Sequence, residues 1–155
     1  MANVKVISNS KELIKQLNEA AIHNPEQTVK VMTEIAIDIA GRSAQLAPIE
    51  SGDLRNNCNA EINNVTIYEN LSPTNTNVAP DTKAMASVGY SLVYALRQHE
   101  ELNYAHDRTD GFKRADGTTW NMVAGGQAKY LETPFKENEK KYIAMIEAIP
   151  EKVFE

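Results

Sequence analysis

Metal-favouring side chains crowd one stretch of this sequence: His99, Glu100, Glu101, His106, Asp107 and Asp110. A zinc-hydrolase helix needs His-Glu-x-x-His, which sets both imidazoles on one face. His99 and His106 lack that spacing, so His99 and Glu100 are expected to brace a strand end while the other acids stay solvated. Asp107 and Asp110 sit among Arg108, Lys113 and Arg114, with nothing apolar to raise a carboxyl pKa as a general acid requires. No Gly-x-Ser-x-Gly elbow is present. Gly125-Gly126-Gln127-Ala128-Lys129 lacks the Gly-Lys-Ser/Thr ending of a phosphate loop and reads as a hinge before a helix. Cys58 is the only cysteine, which excludes an intramolecular disulfide and a thiolate cage within one chain. Its neighbours Asn56, Asn57 and Asn59 supply no positive charge to activate a thiol, so Cys58 reads as a buried filler in a strand. The expectation is a protein that is not an enzyme, with no catalytic residue, no metal and no cofactor.

Composition bounds the class. A length of 155 residues fits one domain, and an apolar fraction of 42% is that of a globular chain. No apolar run approaches the roughly 20 residues of a bilayer span. The first ten residues lack the basic-then-apolar order of a secretory signal. A cytoplasmic product with no membrane partner is expected. The net charge is −5, and the densest basic cluster, 136–141, is interleaved with Glu137 and Glu139. That is a solvated helix face, not a phosphate-binding footprint, so sequence-specific nucleic-acid binding is not expected.

The elements follow from periodicity. Residues 10–23 form a short amphipathic helix, opened by Asn9 and Glu12 at capping-box spacing and striped by Leu13, Ile14, Leu17 and Ala21. Residues 24–46 carry the strongest helix signal: Asn24 as N-cap, Pro25 at the first helical position and Gln27 completing a second capping box. Val29, Met32, Ala36, Ile39 and Ser43 form its inner row, widened by Val31, Ile35 and Leu46. Pro48 ends it. Residues 54–69 look strand-like, either as two strands turning near 56–59 or as one bent strand. Residues 85–94 alternate as a further strand, and 94–100 suit a short helical turn. The final helix is expected over 127–148, with Pro134 implying a kink or a break after Thr133. Its apolar face is Tyr130, Leu131, Phe135, Tyr142, Ile143 and Ile146.

Two helices, then strands, then a helix predict an α+β fold. The simplest form is an antiparallel twisted sheet with helices packed on one face, as a single domain over 1–155. Two segments, about 71–83 and 101–122, have no periodic apolar face and are expected to be mobile loops. The second carries Phe112 and Trp120, aromatics that solvated loops seldom need and that would serve as interface anchors.

Three segments together resemble a known family. Ala47-Pro48-Ile49-Glu50-Ser51-Gly52-Asp53-Leu54-Arg55 follows an alanine-rich helix. Val88-Gly89-Tyr90 leads through Tyr94-Ala95 to Gln98-His99-Glu100. Ala128-Lys129-Tyr130-Leu131-Glu132-Thr133-Pro134 opens the final helix. In order and spacing these resemble the phage head–tail joining, or tail-completion, family across about 25–146. The chain departs from the family pattern in lacking a glycine after Glu100 and in a longer loop up to Met122.

The resemblance implies an α+β fold and a virion protein that self-associates into a ring, commonly hexameric, at the top of the tail. The ring would meet the tail tube protein on one side and the head connector or stopper protein on the other. Before assembly the protein would be in the host cytoplasm. The motif residues carried over are Pro48, Gly52, Leu54, Arg55, Tyr94, Ala95, His99, Glu100, Lys129, Tyr130, Leu131 and Glu132. Gly52 would let the chain turn, and Arg55 would project from a strand start toward a carboxylate. Tyr94 and Leu131 are expected in the core. An acidic ring suits a DNA conduit, since like charge discourages phosphate adhesion. The alternative reading is a related phage assembly protein, such as a tail terminator or a minor capsid protein. A metal-binding enzyme using 99–116 comes third.

Overall fold

The longest element, helix α1 (Pro25–Leu46), begins where the sequence sets three start signals in a row. In the computed structural model the Asn24 side chain accepts a hydrogen bond from the Gln27 amide at 3.2 Å, satisfying one of the amides that a helix start leaves open. Pro25 follows at the first helical position, where no amide is needed. Ala47, the residue before Pro48, is extended at φ −64°, ψ 138°, as a pre-proline residue must be. The described residues are 4–5, 15, 19, 22–47, 53–74, 77–80, 85–100, 112–113, 119–120 and 126–149.

The remaining elements are β1 (Val4–Lys5), α2 (Asp53–Asn56), β2 (Asn59–Ile62), β3 (Val65–Glu69), β4 (Ser72–Pro73), β5 (Ala86–Tyr90), α3 (Ala95–Glu100), β6 (Phe112–Lys113), β7 (Thr119–Trp120) and α4 (Glu132–Glu147). Five strands form one antiparallel sheet in the order β1-β5-β2-β3-β4, and β6 and β7 pair as a separate antiparallel ribbon. The fold is α+β. Helix α1 lies across one face of the sheet, against β2, β5 and β3, and α4 packs on α1.

The core sits between α1 and the sheet. Val29, Met32, Ala36, Ile39, Ala40 and Ala44 face inward from the helix. Ala60, Ile62, Ile67, Tyr68, Val88 and Tyr90 meet them from the strands. The small residues of the helix let its backbone approach the sheet, while Val31, Ile35 and Leu46 stay half-buried at the margins. Thr28 and Thr33 are buried too, and each hydroxyl donates back to the carbonyl four residues earlier, at 2.7 and 2.8 Å.

Strand β3 buries two consecutive residues, Ile67 and Tyr68, which a regular strand cannot do. The register explains it. Ala60 pairs with Tyr68 but Glu61 pairs with Thr66, so β3 carries one extra residue in a bulge.

Several expectations change. Leu54 and Arg55 lie in the helical turn α2, not at a strand start. The hairpin turn is at Asn63 and Asn64, with φ of 50° and 65°, rather than at 56–59. Two positive φ values are what a two-residue hairpin loop of type I′ requires, and Asn tolerates them better than most residues. The strand expected over 85–94 ends at Tyr90, and Tyr94 is 42% exposed, not core. Helix α4 starts at Glu132, not at 127, so Pro134 falls in its first turn, where no intrahelical amide is lost and the helix runs unbroken. A short strand at Val4 and Lys5, which the sequence reading did not anticipate, pairs with β5.

Of the helix expected over 10–23, Lys15, Glu19, Ile22 and His23 are described, and all four are helical. Within 71–83, Ser72 and Pro73 form β4, and the Thr74 amide donates to the Ile67 carbonyl at 2.9 Å. Within 101–122 the ribbon β6–β7 pairs Phe112 with Trp120, so part of that stretch has regular structure where the sequence showed none.

Candidate functional site

Tyr130 occupies the middle of a seam that joins the motif segments. It precedes α4, is fully buried, and donates from its hydroxyl to the Ala95 carbonyl at 2.6 Å. Its ring meets Tyr90 edge-on at 5.0 Å and His99 edge-on at 5.1 Å between centroids. These are favourable arrangements for aromatic quadrupoles. Tyr90 in turn shares a 2.7 Å hydrogen bond with the Ser43 hydroxyl of α1. Ala95 is fully buried under this arch.

The segment before α4 is fastened by its backbone as well. The Gln127 amide donates to the Leu46 carbonyl at the end of α1, at 2.9 Å, and the Lys129 amide donates to the His99 carbonyl at 2.8 Å. Lys129 adopts φ 55°, a left-handed conformation that costs an L-residue about 1–2 kcal/mol. Its ammonium pairs with Glu100 and lies 3.5 Å from Glu132. Both carboxyls are held below their usual value, Glu100 chiefly by Lys129 and then His99, Glu132 chiefly by Lys136. Exposed pairs of this kind add little to stability, so the backbone bonds and the tyrosine arch carry the seam.

The first motif is tied in through Arg55. Its Nε donates to the Ala47 carbonyl at 2.9 Å, closing the turn after α1. No carboxylate faces this guanidinium among the described residues. Leu54 is buried in the core, as is Leu131. Pro48 and Gly52 lie outside the described residues, as do Glu101, His106, Asp107, Asp110 and Gly125.

Asn57 was not singled out by sequence reasoning, yet it clamps the end of β5. Its side-chain oxygen accepts from the Ser91 and Leu92 amides at 2.6 and 3.1 Å, and its amide donates to the Ser91 hydroxyl at 2.9 Å. One Asn in a run of Asn gives no sequence signal for such a role. Ser43 and Asp38 were missed as hydrogen-bonding residues for the same reason. The Asp38 carboxylate accepts from the Tyr142 hydroxyl at 2.7 Å and from Arg42 at 2.9 Å.

The reactive groups of the seam are held in their neutral forms. Burial pushes the Cys58 thiol up to about 11, against a weaker opposing bond from Tyr90. Burial likewise raises Tyr90 and Tyr130 well above the usual phenol range. Burial lowers His99, although the 2.6 Å bond from its Nδ1 to Glu100 favours the charged form. The His99 Nε2 is buried with no hydrogen-bond partner among the described residues. Among the described residues no three His, Cys, Asp or Glu side chains come together in a way that would hold a metal ion. No helix among them is long and apolar enough to cross a membrane. What the arrangement does physically is lock a helix end, a strand end and the start of a second helix into one unit.

Compared with known protein families, curated proteins and solved structures, the chain matches none of them.

Proposed function

We propose that this chain is a structural phage or prophage protein that joins the tail to the head connector, as one subunit of a ring at the tail top. The observation that carries the reading is the seam itself. Residues of the second and third motif segments, far apart in sequence, touch one another: Tyr130 bonds Ala95, and Lys129 bonds both His99 and Glu100, while Arg55 of the first closes the end of α1, to which Gln127 is tied through the Leu46 carbonyl. Motif residues that serve packing, with no activated nucleophile among them, suit a scaffold whose partners are other proteins. The partners on this reading are further copies of the chain, the tail tube protein and the connector or stopper of the head. The net charge of −5 suits a ring around passing DNA, which it would not hold by its phosphates.

The test is electron microscopy of particles carrying a labelled copy of the protein. Label at the junction between head and tail is the expected result. Label spread over the shell would make it a minor capsid protein instead, and label absent from particles would end the virion reading.

A further inference from the structure

The open side of α1 and the end of β3 with the turn that follows it leave a groove of about 670 Å³. Ile37, Gly41 and Ala44 line it from the helix, Tyr68 from β3, Leu71 from the turn after it, and Arg55 reaches it from α2. Resting on the ring reading above, we propose that this groove is the docking site for a neighbouring copy of the same chain, which presents a carboxylate to Arg55 and an apolar side chain to Leu71.

Three observations support this, the first bearing on the occupant and the other two on the groove. The first is charge. Arg55 spends its Nε on the Ala47 carbonyl, and its terminal amino groups have no carboxylate facing them among the described residues. The acid that lines the groove, Asp38, is already engaged by Arg42, Tyr142 and Lys141. A half-buried guanidinium left in this state fits the planar fork of a carboxylate from outside. A chain with 21 acidic against 16 basic residues carries the complementary charge on its own surface.

The second is Leu71. It is 49% exposed and held at φ 62°, a conformation that favours glycine or asparagine, so the fold displays an apolar side chain where a loop would ordinarily show a polar one. The third is Gly41, in the middle of α1. A Cβ built there meets nothing within 4 Å, so the groove floor is bare backbone and the fold has no packing need for glycine. A groove on one copy filled by a different surface of the next is a head-to-tail contact, which closes into a ring when the rotation allows.

The test is sedimentation of the full-length protein over a concentration series, for the wild type and for Gly41→Gln and Leu71→Asn. The wild type is expected to associate with rising concentration, and added salt to weaken it. Gly41→Gln fills the groove without touching the core. It should raise the association Kd about tenfold or more while leaving the melting temperature unchanged or higher, because glycine is a poor helix residue. Leu71→Asn should likewise weaken association without loss of stability. A wild type that stays monomeric, or variants that associate as it does, would overturn the proposal. Incorporation of Gly41→Gln at labelled necks as efficiently as wild type would also overturn it, while leaving the head–tail reading intact.

Discussion

His99 shows how one residue couples the seam to pH. Its ring is almost fully buried, burial lowers its proton affinity, and its Nε2 faces no acceptor among the described residues. Glu100 bonds the other nitrogen, Lys129 and Glu132 set the charge nearby, and Tyr130 covers one side. The unfolded chain, with an ordinary imidazole near 6.5, binds the proton more readily than the folded one. Stability is therefore full above that value and declines as pH falls below it toward the lowered folded value. Urea unfolding across this range should show the decline in the wild type and not in His99→Gln. Equal pH dependence in both would remove His99 as the cause. Glu100 and Lys129 bear on the same region, but the Glu100 carboxyl titrates in a lower window, below its ordinary value of 4.5.

At the scale of elements, α1 and the β2–β3 hairpin carry the sharpest expectations. Ile39 is 7% exposed in the face that α1 lays on the sheet. Ile39→Asp would bury an unpaired carboxylate there, a cost of several kcal/mol, comparable with a domain's whole stability of about 5–15 kcal/mol. Circular dichroism should find that variant unfolded. A folded Ile39→Asp would mean that α1 packs elsewhere. The hairpin depends on left-handed backbone at Asn63 and Asn64. Asn64→Val places a β-branched residue at φ 65° and should cost about 1–2 kcal/mol or somewhat more. Asn64→Gly should stay within a few tenths of the wild type in the same urea titration.

For the whole molecule, the segments about 71–83 and 101–122 are where assembly would be read out. The described part of the second is a ribbon of two short strands that forms its own sheet. An isolated two-stranded ribbon is marginal in water without a surface to pack on. If these segments are contact arms, hydrogen exchange should be fast in the free protein and slowed in assembled particles. Strong protection in the isolated protein would rule the arm model out. Trp120→Ala should leave the free protein as stable as wild type and lower the yield of joined particles in complementation. An unfolded Trp120→Ala would place Trp120 in the core and end its anchor role.

Local chemistry was legible in the chain. The start of α1 could be read because Asn24, Pro25 and Gln27 act on their own neighbours, and its buried row could be read because helical period depends on nothing distant. The α+β class followed from the order of such periods. The site was legible only as motif spacing. That Tyr130 bonds the Ala95 carbonyl, 35 residues away, was settled by tertiary packing, as were the bond by which Arg55 closes the end of α1 and the exposure of Tyr94. The bulge that buries Ile67 and Tyr68 together, and the helical turn at 53–56, belong with these. Both depend on how β3 registers against β2 and on how the chain leaves α1 for the sheet, and pairing energies across the sheet leave no period in the sequence.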